Sequence, residues 1–487
     1  MISKFVREQK RYTQDHLRDI FECSAEKVVV IIKKLKQYGV LKAVKVSDVQ
    51  TDMSDLIDEE IEISDVELEG NNYYYVFTFV GIIAVEGYII KSYPKYLTKK
   101  SPTTELKKII KVLEKYNSKE QIIRMYNDGG KNSAFNHLAV MLYLLNDYYE
   151  NGLYTSTQDI IEEDGNGEIL WDRTINETFA IIKNNRPYYT TLLTKKRAMD
   201  DLDYFKRLHE CILSHFSKEL KEADLIELFD IVLVDLTDEG LDAFGDVDYI
   251  LYRIENELNV QYITRKQLIL KSIYAYLTHS SSLSDIDGFS FFGTSTFNLV
   301  WEQICSEIMD NQLQNDLGSL DLPVPLHADF VAYNKLISLI EKPKWTGKSE
   351  DDKPFIKTSN DTLKPDIISV GKKKDGFNFI IFDAKYYVIR LEENKKLQGQ
   401  PGISDITKQY LYQLAFEKFI KLHSIDSVKN CFLLPSEGSE IINKGYVKLD
   451  MLDNLGLQPI QIRMLPANSV YDYYLEGIKM DVSELDL

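Results

Sequence analysis

A chain of 487 residues, 44% apolar and 28% charged, has the make-up of a folded polypeptide of about three domains, which excludes wholesale disorder and collagen-like repeats. With 58 Lys and Arg against 76 Asp and Glu the formal charge is -18, so no global cationic surface draws the chain to nucleic acid and any such contact needs a local patch. Four cysteines, Cys23, Cys211, Cys305 and Cys431, lie far apart with no C-x-x-C pair, which argues against a zinc ribbon or disulfide framework and for buried thiols in a reducing compartment.

The N-terminus is charged from Lys4 and has no apolar core of a signal peptide. Residues 1–47 form a basic module, with 11 Lys/Arg against 5 Asp/Glu over residues 1–46. TQDHLRDIF from Thr13 and SAEKVVVIIKKLKQYGVL from Ser24 read as two helices, each opened by a capping hydroxyl, and Gly39 ends the second. An alternating VLKAVKV follows, so the order is winged-helix-like, with a basic second helix suited to a DNA groove or a lysine face left in solvent. Residues 48–72 read as an acidic linker, since ten Asp/Glu and no Lys/Arg fall between Asp48 and Glu69.

Residues 73–102 are expected to form a small β region, rich in aromatic and β-branched residues and punctuated by Gly81 and Gly87. Their apolar run is too short to span a bilayer, so a cytoplasmic chain with no membrane partner is expected. Residues 103–284 are expected to be mostly helical: TELKKIIKVLEKY, AFNHLAVMLYLLNDYY and YFKRLHECILSHFSKEL repeat apolar residues at three- and four-residue steps. GNGEILWDRTIN, from Gly165, breaks that pattern, with Asp172-Arg173 as a local ion pair.

The chemistry falls in residues 285–487. FNLVWEQICSEIMDN, from Phe297, is an amphipathic helix with Glu302 and Glu307 off its apolar stripe. Two strand-like runs, DIISV and FNFIIFDAKYY, then flank a turn from Gly371 to Gly376, which is a hairpin pattern. Residues two apart on a strand share a face, so Asp383 and Lys385 project together, and a symmetric register sets Asp366 opposite roughly residue 381 on that face. Reading Lys385 as the neutraliser of one buried aspartate leaves the other unpaired, which costs free energy. A hard divalent cation resolves this: Asp366 and Asp383 suit Mg²⁺ (or Mn²⁺ in its place), with Lys385 orienting or deprotonating a water. Between Lys342 and Asn430 there are 17 Lys/Arg against 12 Asp/Glu, a local excess of the kind phosphate contacts need. Lys342, Lys344, Lys348, Lys372, Lys373, Lys374, Lys395 and Lys396 cluster beside the expected site.

Pro365-Asp366, 16 residues, then Asp383-Ala384-Lys385 resembles the PD-(D/E)XK signature of restriction-endonuclease-like nucleases. The helix SDITKQYLYQLAFEKFIKL, from Ser404, places Gln409 and Gln413 on one face. The resemblance implies a metal- or water-supporting glutamine there, Gln409 in preference to Gln413. It also implies an acidic residue on the preceding helix, Glu302 in preference to Glu307, and the Ala384 carbonyl as a metal ligand beside Asp366, Asp383 and Glu302. GEILWDRTIN, DAKYY and KQYLYQLAF together resemble the LlaJI-type, McrC-like family of restriction nuclease subunits, from about residue 73 to the C-terminus. That resemblance implies an α+β multidomain chain: a C-terminal PD-(D/E)XK α/β domain, a helical partner-binding middle, a small β region and a winged-helix-like N-terminus.

It also implies Mg²⁺-dependent cleavage of double-stranded DNA to 5′-phosphate and 3′-hydroxyl ends. The implied partner is an McrB-like AAA+ GTPase ring from a neighbouring gene, with a second copy of this chain a further candidate for double-strand cutting. No G-x-x-x-x-G-K-[ST] loop occurs in the chain, so a nucleotide-driven step must come from elsewhere. Two other readings stand beside this one: a DNA-binding regulator or scaffold with a silent nuclease fold, and a repair or recombination nuclease.

Overall fold

The structure, a computed structural model, describes residues 1–45, 73–117, 136–155, 157–199, 203–279, 282–283, 288–373 and 376–487. The acidic run expected as a linker lies outside the described residues. Two compact units divide the chain: one holds Met1, Ala84–Gly87 and Gly129–Phe291, the other Ile2–Ile83, Tyr88–Asp128 and Phe292–Leu487.

The second unit begins with β1 (Ile2–Arg7), β2 (Arg11–Tyr12), α1 (Gln14–Phe21), α2 (Ala25–Gln37) and β3 (Leu41–Lys45). Thr13 and Ser24 cap the two helices by accepting from the His16 and Lys27 backbone N–H groups, which satisfies donors the helix cannot. The expected helix–helix–strand order is therefore present. Its sheet is completed by β4 (Tyr73–Phe77), which lies between β2 and β3. β5 (Val80–Val85) and β6 (Tyr88–Tyr93) follow, and β1 runs parallel to β6. α3 (Thr103–Asn117) comes next.

The first unit is built on α4 (His137–Asn151), and the chain then leaves the expected helical pattern. β7 (Thr157–Glu163), β8 (Glu168–Ile169), α5 (Trp171–Glu177), β9 (Ala180–Lys183), β10 (Arg186–Tyr189) and β11 (Leu193–Met199) make a three-stranded sheet, β7-β11-β8, and a β9–β10 hairpin. The rest of the described middle is mostly helical as expected, and the expectation is corrected over Thr157–Met199. Asn184 and Asn185 both take positive φ at the hairpin turn, a two-residue reversal that Asn favours and that three- and four-residue spacing does not report. Arg173 binds Glu177 through two bonds of 2.6 and 2.8 Å and so forms its ion pair one helical turn on, not with Asp172; adjacent helical residues point apart, whereas those four apart are neighbours. α6 (Tyr204–Glu222), α7 (Val247–Val260) and α8 (Thr264–His279) complete the unit.

β12 (Phe289–Thr294) neighbours β5 and leads into α9 (Phe297–Ile308). Gly81 and Gly293 cross so closely that a Cβ on either would enter the other strand's backbone. An exposed ribbon, β13 (Lys344–Lys348) with β14 (Pro354–Thr358), precedes β15 (Ile367–Lys373) and β16 (Gly376–Ala384). α10 (Ile403–Leu422), β17 (Ser427–Ser436), β18 (Ile442–Val447), β19 (Ile460–Pro466) and α11 (Ala467–Glu476) follow.

The five-stranded sheet runs β15-β16-β17-β19-β18, with β16, β17 and β19 parallel and an antiparallel strand at each edge. A central strand covered on both faces reads as a near-continuous apolar run, as FIIF does in β16. α3 packs on α11, with Lys108 2.8 Å from Asp472, and Tyr96, in the segment before α3, bonds Tyr471 at 2.6 Å. Residues 103–117 thus share a unit with the C-terminal sheet. Among the described residues no helix is long and apolar enough to cross a membrane.

Candidate active site

The hairpin sets the geometry. β15 and β16 pair antiparallel from Ile367 opposite Phe382 to Lys373 opposite Gly376. Continuing that register brings Asp366 level with Asp383, two residues from the expected position at 381. The pairing extends further into the Gly371–Gly376 stretch than its glycines and lysines suggest, and a two-residue offset preserves the face. On that face Ile368, Val370, Phe379 and Ile381 pack against Tyr412, Phe416 and Phe419 of α10. Asp383 takes the next position beyond Ile381, so the apolar layer ends in a carboxylate.

Asp383 is only 5% exposed. Burial pushes its carboxyl well above the usual range, a hydrogen bond with Asp366 and the Asp366 charge push it further, and Lys385 opposes them. Asp366 is held in turn by the Ala384 N–H, which donates to its Oδ2 at 3.2 Å. The Lys385 ammonium lies 3.1 Å from Asp383 and 3.2 Å from Asp405. Burial works against that charge, but Asp383, Asp405 and Asp366 outweigh it and hold Lys385 firmly protonated. One ammonium thus faces three carboxylates.

Glu302 on α9 belongs to the same field. Burial raises its pKa first and the Asp366 charge adds to the rise, while Lys385 and Lys364 oppose it. Glu307 instead accepts from Gln303 at 2.9 Å. The two glutamines of α10 separate as clearly. Gln413 is committed, accepting from Asn430 Nδ2 at 3.0 Å and from the Gln458 N–H at 3.1 Å. Gln409 is 0% exposed, and neither its amide oxygen nor its nitrogen has a hydrogen-bond partner.

Sequence reasoning missed several supports. Asp405 sits at the third position of α10, where its Oδ2 accepts from the Gly402 N–H at 3.2 Å; the signal was an acidic residue in a first helical turn, where it also suits the helix dipole. Asn311 donates to the Asp366 carbonyl at 2.9 Å and accepts from the Ile368 N–H at 3.1 Å. The Leu433 carbonyl takes both the Lys385 N–H at 2.9 Å and the Trp301 indole at 3.1 Å. Tyr386, next to Lys385, donates to buried Glu8 at 2.5 Å, and Lys95 stands over its ring. No local pattern marks a contact that spans 378 residues.

Among the described residues no three His, Cys, Asp or Glu side chains converge as a ready-made metal cage. The centre is a buried and a half-buried carboxylate with a lysine and a half-buried glutamate in their field, and the following helix carries an orphaned amide, Gln409.

The sequence profile of the LlaJI restriction endonuclease family matches residues 79–468. The chain is 27% identical over 417 residues to the type II restriction enzyme BsuMI component YdjA of Bacillus subtilis (strain 168), covering 84% of this chain and 83% of that one. Two solved assemblies of Thermococcus gammatolerans are also similar. One is the refined half-complex of McrB AAA+ hexamers with bound McrC, at 14% identity and TM-score 0.37 over 98% of this chain and 99% of that one. The other is the McrBC complex, at 15% identity and TM-score 0.24 over 62% and 85%. Likeness at those scores carries nothing further for this chain.

Proposed function

This chain belongs to the LlaJI restriction endonuclease family, and we propose that it is the Mg²⁺-dependent DNA-cleaving subunit of a multi-component bacterial restriction system, with Asp366, Asp383 and Lys385 at its catalytic centre. The observation that carries the reading is the pairing of buried Asp383 with half-buried Asp366, whose hydrogen bond and charge add to burial in raising the Asp383 pKa. Like charges so placed cannot both ionise unaided. A hard cation removes that conflict. The residues fit it: Asp366, Asp383 and the Ala384 carbonyl would hold Mg²⁺, with Glu302 at its edge. Mg²⁺ keeps several waters, so it needs no cage of three protein carboxylates. When bound, the ion supplies neutralisation of charge on the phosphoryl oxygens.

The chain's own residues do the rest. Lys385, pinned between Asp383 and Asp405, stays protonated and presents its ammonium to an attacking water and to the negative charge that builds on the phosphate. The buried amide of Gln409, with both polar atoms unused, is a ready partner for that water or for a metal-bound one. Asp405 orients Lys385, and Asn311 fixes the backbone on both sides of Ile367, immediately after Asp366. These carboxylates, lysine and glutamine support the PD-(D/E)XK reading of the domain, with 5′-phosphate and 3′-hydroxyl products.

The partner in this reading is a cytoplasmic McrB-like AAA+ GTPase ring. What supports a partner on the first unit is its exposed apolar side chains, among them Phe179 at 94%, Ile182 at 73% and Ile181 at 59%, on a small hairpin that leaves them in water. Apolar clusters of this kind mark interaction sites. The test is cleavage of plasmid DNA with Mg²⁺ and GTP by this chain together with its NTPase, and Mn²⁺ binding by the chain alone. Cutting together with metal binding that vanishes in Asp383→Ala is expected. A folded complex that neither cuts DNA nor binds the metal at Asp383 would leave a scaffold with a silent fold.

A further inference from the structure

The ribbon of β13 and β14 has no place in the reading above. Its strands pair from Lys344 opposite Thr358 to Lys348 opposite Pro354, and every residue but Gly347 is exposed. Trp345 is 71% exposed, Ile356 67% and Phe355 44%. A two-stranded hairpin standing in water is marginal by itself, yet this one is ordered at both ends. The Ser359 N–H donates to the Pro343 carbonyl at 2.8 Å and Thr362 Oγ1 to the Glu341 carbonyl at 2.7 Å, closing the base. Across the turn the Ser349 N–H donates to the Lys353 carbonyl at 2.8 Å, and Lys348 pairs with Asp352 at 2.9 Å.

Directly opposed residues share a face, so Trp345 and Lys357, with Gly347 and Phe355, line one side. Gly347 leaves room for the Phe355 ring, which a Cβ there would strike, and the Lys357 ammonium lies 5.7 Å from that ring. Two aromatic rings and a cation are thus presented together, with Lys344 on the opposite face and Lys342 and Lys353 beyond the two strands. The carboxylates Glu350, Asp351 and Asp352 are confined to the turn.

We propose that this ribbon is a duplex-DNA contact element that lies in the major groove beside the cleavage site, with its Trp345–Phe355–Lys357 face on the DNA and its acidic turn held away from the phosphates. The substrate class rests on the nuclease reading. Three observations choose DNA as the occupant. Lysines occupy both strands and the base, where phosphates would lie, and the strands themselves carry no acid: Glu350, Asp351 and Asp352 are at the tip, and Glu341 and Asp361 flank the base. A two-stranded ribbon has the width the major groove admits. The ribbon is rooted on the catalytic hairpin: from Thr358 the chain reaches Asp366 in eight residues, a span of at most about 28 Å, within one turn of duplex.

The test measures binding of a labelled duplex by the full chain in Ca²⁺ across a salt series, for wild type, Trp345→Ala, Lys357→Ala and Lys385→Ala. Trp345→Ala should weaken binding about tenfold, and Lys357→Ala should weaken it uniformly across sequences and lower the salt slope by about one. Both sites are exposed, so circular dichroism and melting should match wild type. Unchanged affinity and salt slope, or no measurable duplex binding by the wild-type chain, would overturn the proposal. So would variants that bind DNA normally but lose their NTPase, since the ribbon would then be a protein contact. If ribbon variants lose DNA while Lys385→Ala cuts like wild type, the ribbon stands and the catalytic reading fails.

Discussion

Glu219 in the first unit and Asp383 in the second are 7% and 5% exposed, yet their surroundings treat the charge in opposite ways. Glu219 accepts from His137 Nε2 at 3.1 Å, from Ser282 at 2.7 Å and from the Leu283 N–H at 2.5 Å. Burial alone would raise its pKa, but these donors outweigh burial and hold it low. Asp147, nearby in sequence terms to the same helix bundle, is met by Arg265 through three bonds. Asp383 meets another carboxylate and shares one lysine with Asp405. Buried charges are matched where their purpose is the fold, and left mismatched where something else is to bind.

The largest effect that follows is on catalysis. Lys385→Ala should abolish DNA cleavage by the complex, a loss on the order of 10³-fold or more, while the variant still folds and associates with its NTPase. Residual cutting within tenfold of wild type would break the contrast, because the lysine would then be merely a partner for Asp383.

The contrast was partly legible in the sequence. Asp366, Asp383 and Lys385 follow from strand alternation, and only the register of Asp366 had to shift. Glu302 and Gln409 were favoured over Glu307 and Gln413 by resemblance; helical spacing alone leaves each pair open, because it fixes a face and not which polar group finds a partner. The β strands between α4 and α6 left one visible break, at Gly165, and the rest were hidden because short strands with an Asn-Asn turn carry no long alternation. Glu8, Asn311 and Asp405 escaped for a different reason: their roles are set by tertiary contacts, and a lone acid or amide in a sequence reads as solvated surface.

Stability should respond with opposite signs at the two carboxylates. Glu219→Ala should cost about 3–5 kcal/mol, because it strands His137 and two further donors in a closed interior. Asp383→Asn should stabilise the metal-free protein as pH rises, since it removes a buried carboxylate that otherwise ionises beside the like-charged Asp366. The pH dependence has the same origin. A carboxyl with a raised folded-state pKa binds its proton more tightly folded than unfolded, so between its ordinary and its raised pKa stability falls as pH rises. Melting in EDTA should therefore drop from pH 5 to pH 8 in wild type, with Asp383→Asn flatter over that range. Mg²⁺ should restore the loss at pH 8 in wild type alone. A metal-free melting curve that rises over that window would show the Asp366–Asp383 pair to be relieved by the protein itself.

The smallest effects sharpen the contrast within a single helix, where Gln409 and Gln413 lie one turn apart. Gln413→Ala leaves the Asn430 amide and the Gln458 N–H without their shared acceptor, at a cost of about 1–3 kcal/mol. Its cleavage rate should follow only the amount of folded protein. Gln409→Met keeps the volume and removes two polar atoms that have no partner, so the metal-free fold should hold or gain slightly. The same change takes away the amide proposed to support the metal or its water, and groups in that role are typically worth about 10–100-fold in affinity or activity. Stability and cleavage should therefore separate in opposite directions at neighbouring glutamines. If Gln409→Met melted lower and cut normally, its amide would be a packing residue, and the mismatch at this centre would be confined to Asp366, Asp383 and Asp405 around Lys385.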